Sequence, residues 1–399
     1  MVRLSTVTSE GTASAVASGH TRVQWLPVSS AGLLAVSLFM LVRGLVLAVV
    51  VLVANSEGRS GLRLLVKWDA QWYAGIARNG YGFVRLHEDG RQLADYAFFP
   101  LYPLTERIVA PTLGMPYVSA GLVISGVASV VAAAGIYAVA ERVLTVPAAV
   151  IATVLWAALP MSVVQSMAYS ESLFTALAAW CLHSVLQERW LLAALLACAS
   201  GLTRPVGVAV VAAVMVTAVA PYVRRMRLDR PLTSRPAPSR RLAAAVLAPV
   251  GLLGYLAWVA WDGEQGRGYF SVTRAWGNGF DAGVAFTQWI GAQVTQRPVG
   301  GIAIVVGLML LAMLCWACVR DRLPLPLLVY TFALVAVSLT TSGYFGSKPR
   351  YLLPAFPLLF PVARWVARRH LSVVGAVLAG CTLGAAAYAP IWLLGPGPP

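Results

Sequence analysis

Charged residues are scarce in this sequence. Only 11% of the 399 residues are Asp, Glu, Lys or Arg, whereas a typical soluble domain carries about 25%. Apolar residues make up 59%, and several apolar stretches reach the roughly 20 residues that cross a bilayer as a helix. Alternating strand patterns are also lacking, and a bilayer offers no water to unpaired backbone groups. The sequence therefore predicts an all-α, polytopic integral membrane protein.

Cysteine patterns typical of a zinc or redox site are also lacking. All five cysteines (Cys181, Cys198, Cys315, Cys318 and Cys381) fall in apolar spans. The CWAC segment at 315–318 has CxxC spacing, but neither a second cysteine pair nor a histidine cluster accompanies it. We interpret it as two small buried residues rather than as a zinc or redox site.

Hydropathy places eleven membrane helices. We predict them at about 31–54, 117–140, 147–164, 171–187, 190–203, 205–222, 242–261, 300–319, 324–342, 351–367 and 371–394. The first span lacks a small-residue cleavage site, so we expect a retained helix after a disordered segment 1–28. Arg204 and Pro205 interrupt the run 190–222, and one long kinked helix there is the alternative. That alternative would place every later loop on the opposite side of the membrane.

The excess of positive charge sets the expected topology. The net charge is +15, and seven arginines fall in one Pro/Ser-rich linker: Arg224, Arg225, Arg227, Arg230, Arg235, Arg240 and Arg241. Such clusters mark cytoplasmic loops, so we attribute them to membrane topology and expect no nucleic-acid partner. With eleven crossings and a cytoplasmic N-terminus, the linker lies inside. The expected order is a membrane part 29–222 with external loop 55–116, the linker 223–241, and a membrane part 242–399 with external loop 262–299.

Acidic residues gather on the opposite side of the membrane. The two long external loops hold Asp69, Glu88, Asp89, Asp95, Asp262, Glu264 and Asp281. This asymmetry predicts an active or binding site open to the extracytoplasmic side of the cell membrane.

Asp69 stands in the most unusual of these segments. WDAQWYAGIAR predicts a short helix that ends at Asn79-Gly80, with Trp68, Trp72 and Ile76 on a face that lies on the membrane surface. Asp69 then falls in the first turn, where the helix dipole favours a carboxylate. Two interpretations stay open here: a helix-capping surface acid, or an acid that does chemistry at the membrane face.

Two further acids are candidates for the same site. Asp95 precedes FFPLYP, whose prolines indicate either a structured re-entrant or surface element or a simple turn at the bilayer boundary. Glu171 follows Ser170 in MAYSESLF, where capping explains the serines but an acid at the membrane boundary is costly. Glu171 is therefore either part of a cap or a site residue.

Cations in unexpected places complete the set. Arg204 interrupts an apolar run, and Lys348 and Arg350 stand at a predicted external helix start, against the positive-inside bias. Binding of a phosphate group explains them, and so does snorkelling to lipid headgroups. Arg43 lies inside the first span, where it either pairs with a buried acid or bends toward the interface.

These motifs together resemble a known family. WDAQWYAGIARNGY, YAFFPLYP, YSESLF, GLTRPVG and KPRYLLPAFP follow one another as in the PIG-V-type integral-membrane mannosyltransferases and their bacterial relatives. The resemblance implies a GT-C fold with a catalytic acid in the first large external loop. It also implies a polyprenyl-phosphate sugar, typically mannose, as donor. The implied acceptor is a glycolipid, a glycan or a protein hydroxyl.

The resemblance assigns roles to individual residues. Asp69 matches the family's acid after Trp, and Arg350 matches the Arg of its RYxLP motif, whereas Asp95 only stands near the acid or His that precedes FFP. An inverting transfer needs a base for the acceptor hydroxyl and positive charge at the departing phosphate. We expect Asp69 as the base, Asp95 or Glu171 as a second acid, and Arg350, Lys348 and Arg204 at the phosphate. The expected substrate-lining aromatics are Trp68, Trp72, Tyr73, Tyr81 and Tyr169. No DxD-like pair is visible, so we expect no required cofactor or divalent metal.

Two other functions are alternatives for a membrane protein of this kind. A transporter or lipid flippase places polar groups at mid-membrane and often shows inverted repeats. Here the polar residues fall in long one-sided loops and no repeat is evident, which disfavours transport. A non-catalytic subunit of a cell-envelope assembly complex would keep the fold but tolerate the loss of Asp69.

Overall fold

The computed structural model describes residues 29–228, 238–262 and 268–395. The predictions for segment 1–28, for the middle of the linker 223–241 and for Glu264 concern residues outside those ranges. Within them the chain is almost entirely helical, as predicted, with one two-stranded hairpin. It is a multi-pass membrane protein, because many of its helices are apolar enough to lie in a bilayer.

The helices follow the hydropathy of the sequence closely. They are α1 (Ser30–Ser56), α2 (Gly61–Leu64), α3 (Asp69–Asn79), α4 (Leu101–Thr112), α5 (Tyr117–Glu141), α6 (Val146–Ala157), α7 (Glu171–Leu186), α8 (Trp190–Gly201), α9 (Gly207–Leu228), α10 (Pro238–Leu247), α11 (Val250–Asp262), α12 (Gly268–Ala275), α13 (Val284–Gln296), α14 (Pro298–Arg320), α15 (Leu325–Thr340), α16 (Lys348–Tyr351), α17 (Leu359–Val366) and α18 (Leu371–Leu394).

Several predicted spans are broken by proline. The predicted helix 147–164 is α6 followed by a 3₁₀ segment, Pro160–Ser166, at an 80° bend. The predicted helix 242–261 is α10 and α11, which meet beside Pro249. Proline removes a backbone donor and clashes with the preceding turn, which accounts for the bend before Pro160 and for the interruption of the helix at Pro249. Five helical segments of the described ranges are long and apolar enough to span a membrane, one of them being α10 and α11 together, and the count of eleven crossings stays a prediction.

The interruption at Arg204-Pro205 separates two helices. A Cβ atom on Gly207 would lie 2.7 Å from the carbonyl oxygen of Ser200 and 2.8 Å from Cα of Gly201. In a continuous α-helix, residues seven apart are separated by about 10 Å along the axis. The chain therefore folds back tightly between α8 and α9, which excludes a single continuous helix over 190–222.

The two predicted external loops contain ordered structure. Loop 55–116 includes α2, α3, a hairpin of β1 (Val84–Leu86) and β2 (Gln92–Ala94), and α4. FFPLYP is more than a simple turn, because α4 begins at its Leu101 directly after Pro100. Loop 262–299 contains α12 and α13. The two loops meet where the indole of Trp276 contacts Trp72 of α3.

Candidate active site

Asp69 lies at the first position of α3, on a strained stretch of backbone. The preceding residue, Trp68, has φ +54° and ψ −112°, a conformation that a bulky L-residue rarely adopts. Such strain costs about 1–3 kcal/mol and persists only where the surrounding structure enforces it. Asp69 also stands in the first turn of α3, where the helix dipole stabilises its negative charge. The strained residue thus sets the direction in which the Asp69 carboxylate leaves the chain.

Four charged residues from distant segments, Asp69 among them, are connected by ion pairs. Nη2 of Arg350 lies 2.6 Å from Oδ2 of Asp69, and Nε of the same guanidinium donates to Oε1 of Glu171. Nη1 of Arg204 lies 2.6 Å from that same Glu171 oxygen. We call Asp69, Glu171, Arg204 and Arg350 the ion cluster. It joins α3, the start of α7, the α8–α9 turn and α16, and its two acids balance its two arginines.

The members of the ion cluster differ in their access to solvent. The Asp69 side chain is 25% exposed, whereas Glu171 is 2% and Arg350 is 5% exposed. A ligand therefore reaches the cluster from the side of Asp69. Glu171 begins α7, and its Oε1, which accepts from both arginines, keeps the buried charges compensated.

Two of the predicted substrate-lining aromatics belong to this site. The guanidinium carbon of Arg350 lies 4.4 Å from the ring centroid of Tyr169, a cation–π contact, and the Tyr169 hydroxyl donates to the carbonyl of Lys67 at 3.2 Å. The Tyr73 hydroxyl lies 2.8 Å from Oγ of Ser170, which also accepts from Arg204 at 3.2 Å. Both tyrosines are buried, and their contacts support the ion cluster.

The other three predicted aromatics make their contacts with residues outside the ion cluster. Trp72 stacks on Phe98 and meets Trp276 edge-on, with ring centroids 5.6 and 4.9 Å away. The Tyr81 hydroxyl donates to the Phe98 carbonyl at 2.7 Å. Trp68 instead packs near Trp392, with ring centroids 6.2 Å apart.

The predicted membrane-facing stripe on α3 is wrong for Ile76. Ile76 is buried in a hydrophobic cluster, against which the partly buried Trp72 also packs. The i, i+4 spacing was that of a packed helix face, which has the same period as an interfacial one.

The structure does not bring Asp95 or Lys348 to the ion cluster. The Asp95 carboxylate accepts from the backbone N–H groups of Gly82 and Phe83 at 3.2 and 3.1 Å, so it fixes the loop after α3. Nζ of Lys348 donates to the Ser338 carbonyl at 2.6 Å and to the carbonyl and hydroxyl oxygens of Thr341. An ammonium has three protons, and these contacts at the end of α15 occupy them.

Arg43 makes contacts that differ from both predicted arrangements. It is 5% exposed, and its guanidinium donates to the hydroxyls of Ser162 and Ser166 at 2.8 and 2.6 Å. Neither a buried acid nor the interface is involved in these contacts. Arg43 thereby ties α1 to the 3₁₀ segment that leads into Tyr169 and Glu171.

Sequence reasoning missed one buried acid close to the site. Glu106 of α4 is completely buried, and both of its carboxyl oxygens have no hydrogen-bond partner among the described residues. It lies against Gly121 and near the hydroxyl of Tyr102, whose ring contacts Tyr73 at 4.7 Å between centroids. Burial raises the pKa of Glu106 to about 9. Nothing in the LTER segment itself signals burial, because only the packing of α4 against α5 encloses Glu106.

This acid makes stability depend on pH. Glu106 keeps its proton in the folded chain up to pH about 9, whereas in the unfolded chain it ionises near its ordinary value of 4.5. As pH rises between those values the unfolded state is favoured, by at most about 1.4 kcal/mol per pH unit. Glu106→Gln should therefore unfold at a higher temperature than wild type, with a gap that widens from pH 5 to pH 9 in detergent. Glu57→Gln, at an exposed position, is the control, and a gap that stays constant contradicts the assignment.

Solved structures give the fold a known counterpart. ArnT from Cupriavidus metallidurans, bound to undecaprenyl phosphate, aligns over 86% of this chain and 62% of its own, with 16% identity and a TM-score of 0.54. The oligosaccharyltransferase of Archaeoglobus fulgidus in the apo form aligns over 88% of this chain and 56% of its own, with 14% identity and a TM-score of 0.46. The likeness to ArnT confirms the predicted GT-C-like fold. This chain spans less than two thirds of the ArnT chain.

Sequence comparison identifies the family. No curated protein matches the sequence. The family model described as mannosyltransferase (PIG-V) matches residues 29–234, a range that includes Asp69, Glu171 and Arg204. This range is just over half of the 399 residues. The chain therefore belongs to the PIG-V mannosyltransferase family.

Proposed function

We propose that this protein is a membrane glycosyltransferase that moves mannose from a polyprenyl-phosphate donor to an acceptor hydroxyl, with inversion at the anomeric carbon. Membership of a mannosyltransferase family supports the sugar and the reaction class. The undecaprenyl phosphate bound to ArnT, a protein of the same fold, supports the class of lipid.

The observation that carries the proposal is the contact between Asp69 and Arg350. The partly exposed Asp69 carboxylate lies 2.6 Å from the Arg350 guanidinium, whose positive charge would attract a phosphate group. In the proposed reaction the acceptor oxygen attacks the anomeric carbon and its proton passes to Asp69. The bond between that carbon and the phosphate oxygen breaks, and polyprenyl phosphate leaves with its negative charge. Arg350 and Arg204 stabilise that charge as it develops.

Other predicted residues take different places in this proposal. Asp95 and Lys348 are omitted from the chemistry, because backbone groups already occupy their polar atoms. Arg350 and Arg204 supply the positive charge that a metal ion supplies elsewhere, so we expect no divalent metal requirement. The acceptor is a glycolipid, a glycan or a protein hydroxyl on the extracytoplasmic side, with the N-terminus in the cytoplasm, as the arginine-rich linker favours.

The donor class is tested directly with purified protein in liposomes. Radiolabelled mannose is offered either on polyprenyl phosphate or on a nucleoside diphosphate, together with lipid and glycan extracts as acceptors. We expect label to enter an acceptor only from the lipid-linked donor. Transfer from the nucleotide sugar, or from neither donor at any acceptor concentration, would contradict the proposed function.

A further inference from the structure

The guanidinium of Arg350 is held on three sides by groups of unequal access. Its Nε edge donates to Glu171, its face lies on the ring of Tyr169, and its Nη2 contacts Asp69. Glu171 and Tyr169 are buried, whereas a quarter of the Asp69 side chain is exposed. Of these three contacts, the one with Asp69 is therefore the most open to replacement by a ligand.

The proposed reaction requires that contact to break. In an inverting displacement the attacking hydroxyl and the leaving phosphate stand on opposite sides of the anomeric carbon. The base belongs with the hydroxyl and the phosphate ligand belongs with the phosphate. Asp69 and Arg350 cannot remain 2.6 Å apart while the sugar lies between the groups they serve. One of the two has to move when the donor binds.

We propose that the donor phosphate replaces the Asp69 carboxylate at Nη2 of Arg350, while Glu171 keeps the guanidinium in place through Nε. This inference rests on the proposed function. Arg350 is fixed by two buried partners, whereas a quarter of the Asp69 side chain is exposed, so Asp69 is the one that moves. Donor binding thereby releases the base, and the acceptor hydroxyl meets a free carboxylate only after the donor is bound.

Glu171 is, in this scheme, a positioning residue. Its Oε1 accepts from both Arg350 and Arg204, so one buried oxygen makes two guanidinium groups converge on the same place. Charge-assisted contacts of this kind are strong and directional. Without Glu171 the two arginines would lose the one acceptor that they share, and the hydrogen bond of Arg204 to Ser170 and the contact of Arg350 with the Tyr169 ring would not make them converge.

The exchange predicts that removing the competing carboxylate strengthens binding. The probe is polyprenyl phosphate, titrated against the purified full-length chain in nanodiscs. Asp69→Asn should lower the Kd about tenfold, since a neutral amide competes with the phosphate for Nη2 more weakly than the carboxylate does, by about 1.4 kcal/mol. Glu171→Asp keeps the charge but withdraws it by one methylene, so it should raise the Kd about fivefold or more. A mere loss of folded protein would lower the binding stoichiometry and leave the Kd unchanged.

Matched controls are available on the same chain. Glu188→Asp changes another Glu paired with an arginine, Arg241, beyond the far end of α7, about 24 Å along its axis. Asp89→Asn changes an exposed acid in the hairpin turn of the same loop as Asp69. Both should bind polyprenyl phosphate as wild type does.

Each outcome decides the inference. An unchanged or higher Kd for Asp69→Asn overturns the exchange, even if wild type transfers mannose in liposomes and the proposed function stands. A wild-type Kd for Glu171→Asp overturns its positioning role. If Glu171→Asp does not fold, Asp69→Asn decides the exchange alone. A wild type that neither binds polyprenyl phosphate nor transfers mannose overturns the inference and the proposed function together.

Discussion

Asp69→Asn is expected to reduce mannose transfer by about a hundred- to ten-thousand-fold, the range in which general bases contribute. The amide has almost the size of the carboxylate and still accepts a hydrogen bond from Arg350, but it cannot take a proton from the acceptor. Because the ion cluster keeps its contacts, folding should change little. The measurement is the initial rate from polyprenyl-phosphate mannose at equal amounts of protein, with the unfolding temperature recorded in parallel.

The binding experiment gives this prediction an unusual signature. The same variant that loses transfer is expected to hold polyprenyl phosphate more tightly than wild type, which damage to the site would not produce. Asp89→Asn, an exposed acid of the same loop, should retain the wild-type rate. If Asp69→Asn transfers mannose as fast as wild type, another group is the base, and Glu171 is the remaining carboxylate of the cluster.

The sequence predicted the helices well because hydropathy determines them. The ranges of α1, α5, α14 and α18 agree with the predicted spans within a few residues, since a bilayer forces apolar stretches of that length to be helical. The breaks at proline were less predictable, because a proline inside an apolar run bends the chain by an amount that neighbouring helices decide.

The site was predictable in part, for a different reason. Glu171, Arg204 and Arg350 could each be recognised because a charge in an apolar context is costly. Their meeting could not, because Asp69 and Arg350 are 281 positions apart and only tertiary packing joins them. Lys348 shows the limit well. It stands two residues before Arg350, yet its ammonium donates to a backbone carbonyl of α15. Nothing in KPRYLLP distinguishes the two cations.

Arg350→Met is expected to reduce both transfer and stability. Asp69 and Glu171 would lose a shared cation, and breaking a buried pair in this way costs about 3–5 kcal/mol. We expect the lower end, because Arg204 still pairs with Glu171 and Asp69 is partly hydrated. The rate should fall by about a hundred- to thousand-fold, as when a charge-stabilising donor is removed from an active site. The initial rate and the unfolding temperature are measured on the same preparation.

Arg350→Lys separates the two effects. Lysine keeps the positive charge, so the folded state should be nearly as stable as wild type. A single ammonium, however, cannot present one edge to Glu171 and another to an incoming phosphate while its face lies on Tyr169. Transfer should therefore remain reduced about a hundredfold although the protein is folded. The matched control is Arg364→Lys. Arg364 lies on α17 and pairs with Asp321, and this variant should keep the wild-type rate. If Arg350→Lys transfers mannose as wild type does, charge alone suffices at this position, and the division of the guanidinium between Glu171 and the phosphate has no part in the reaction.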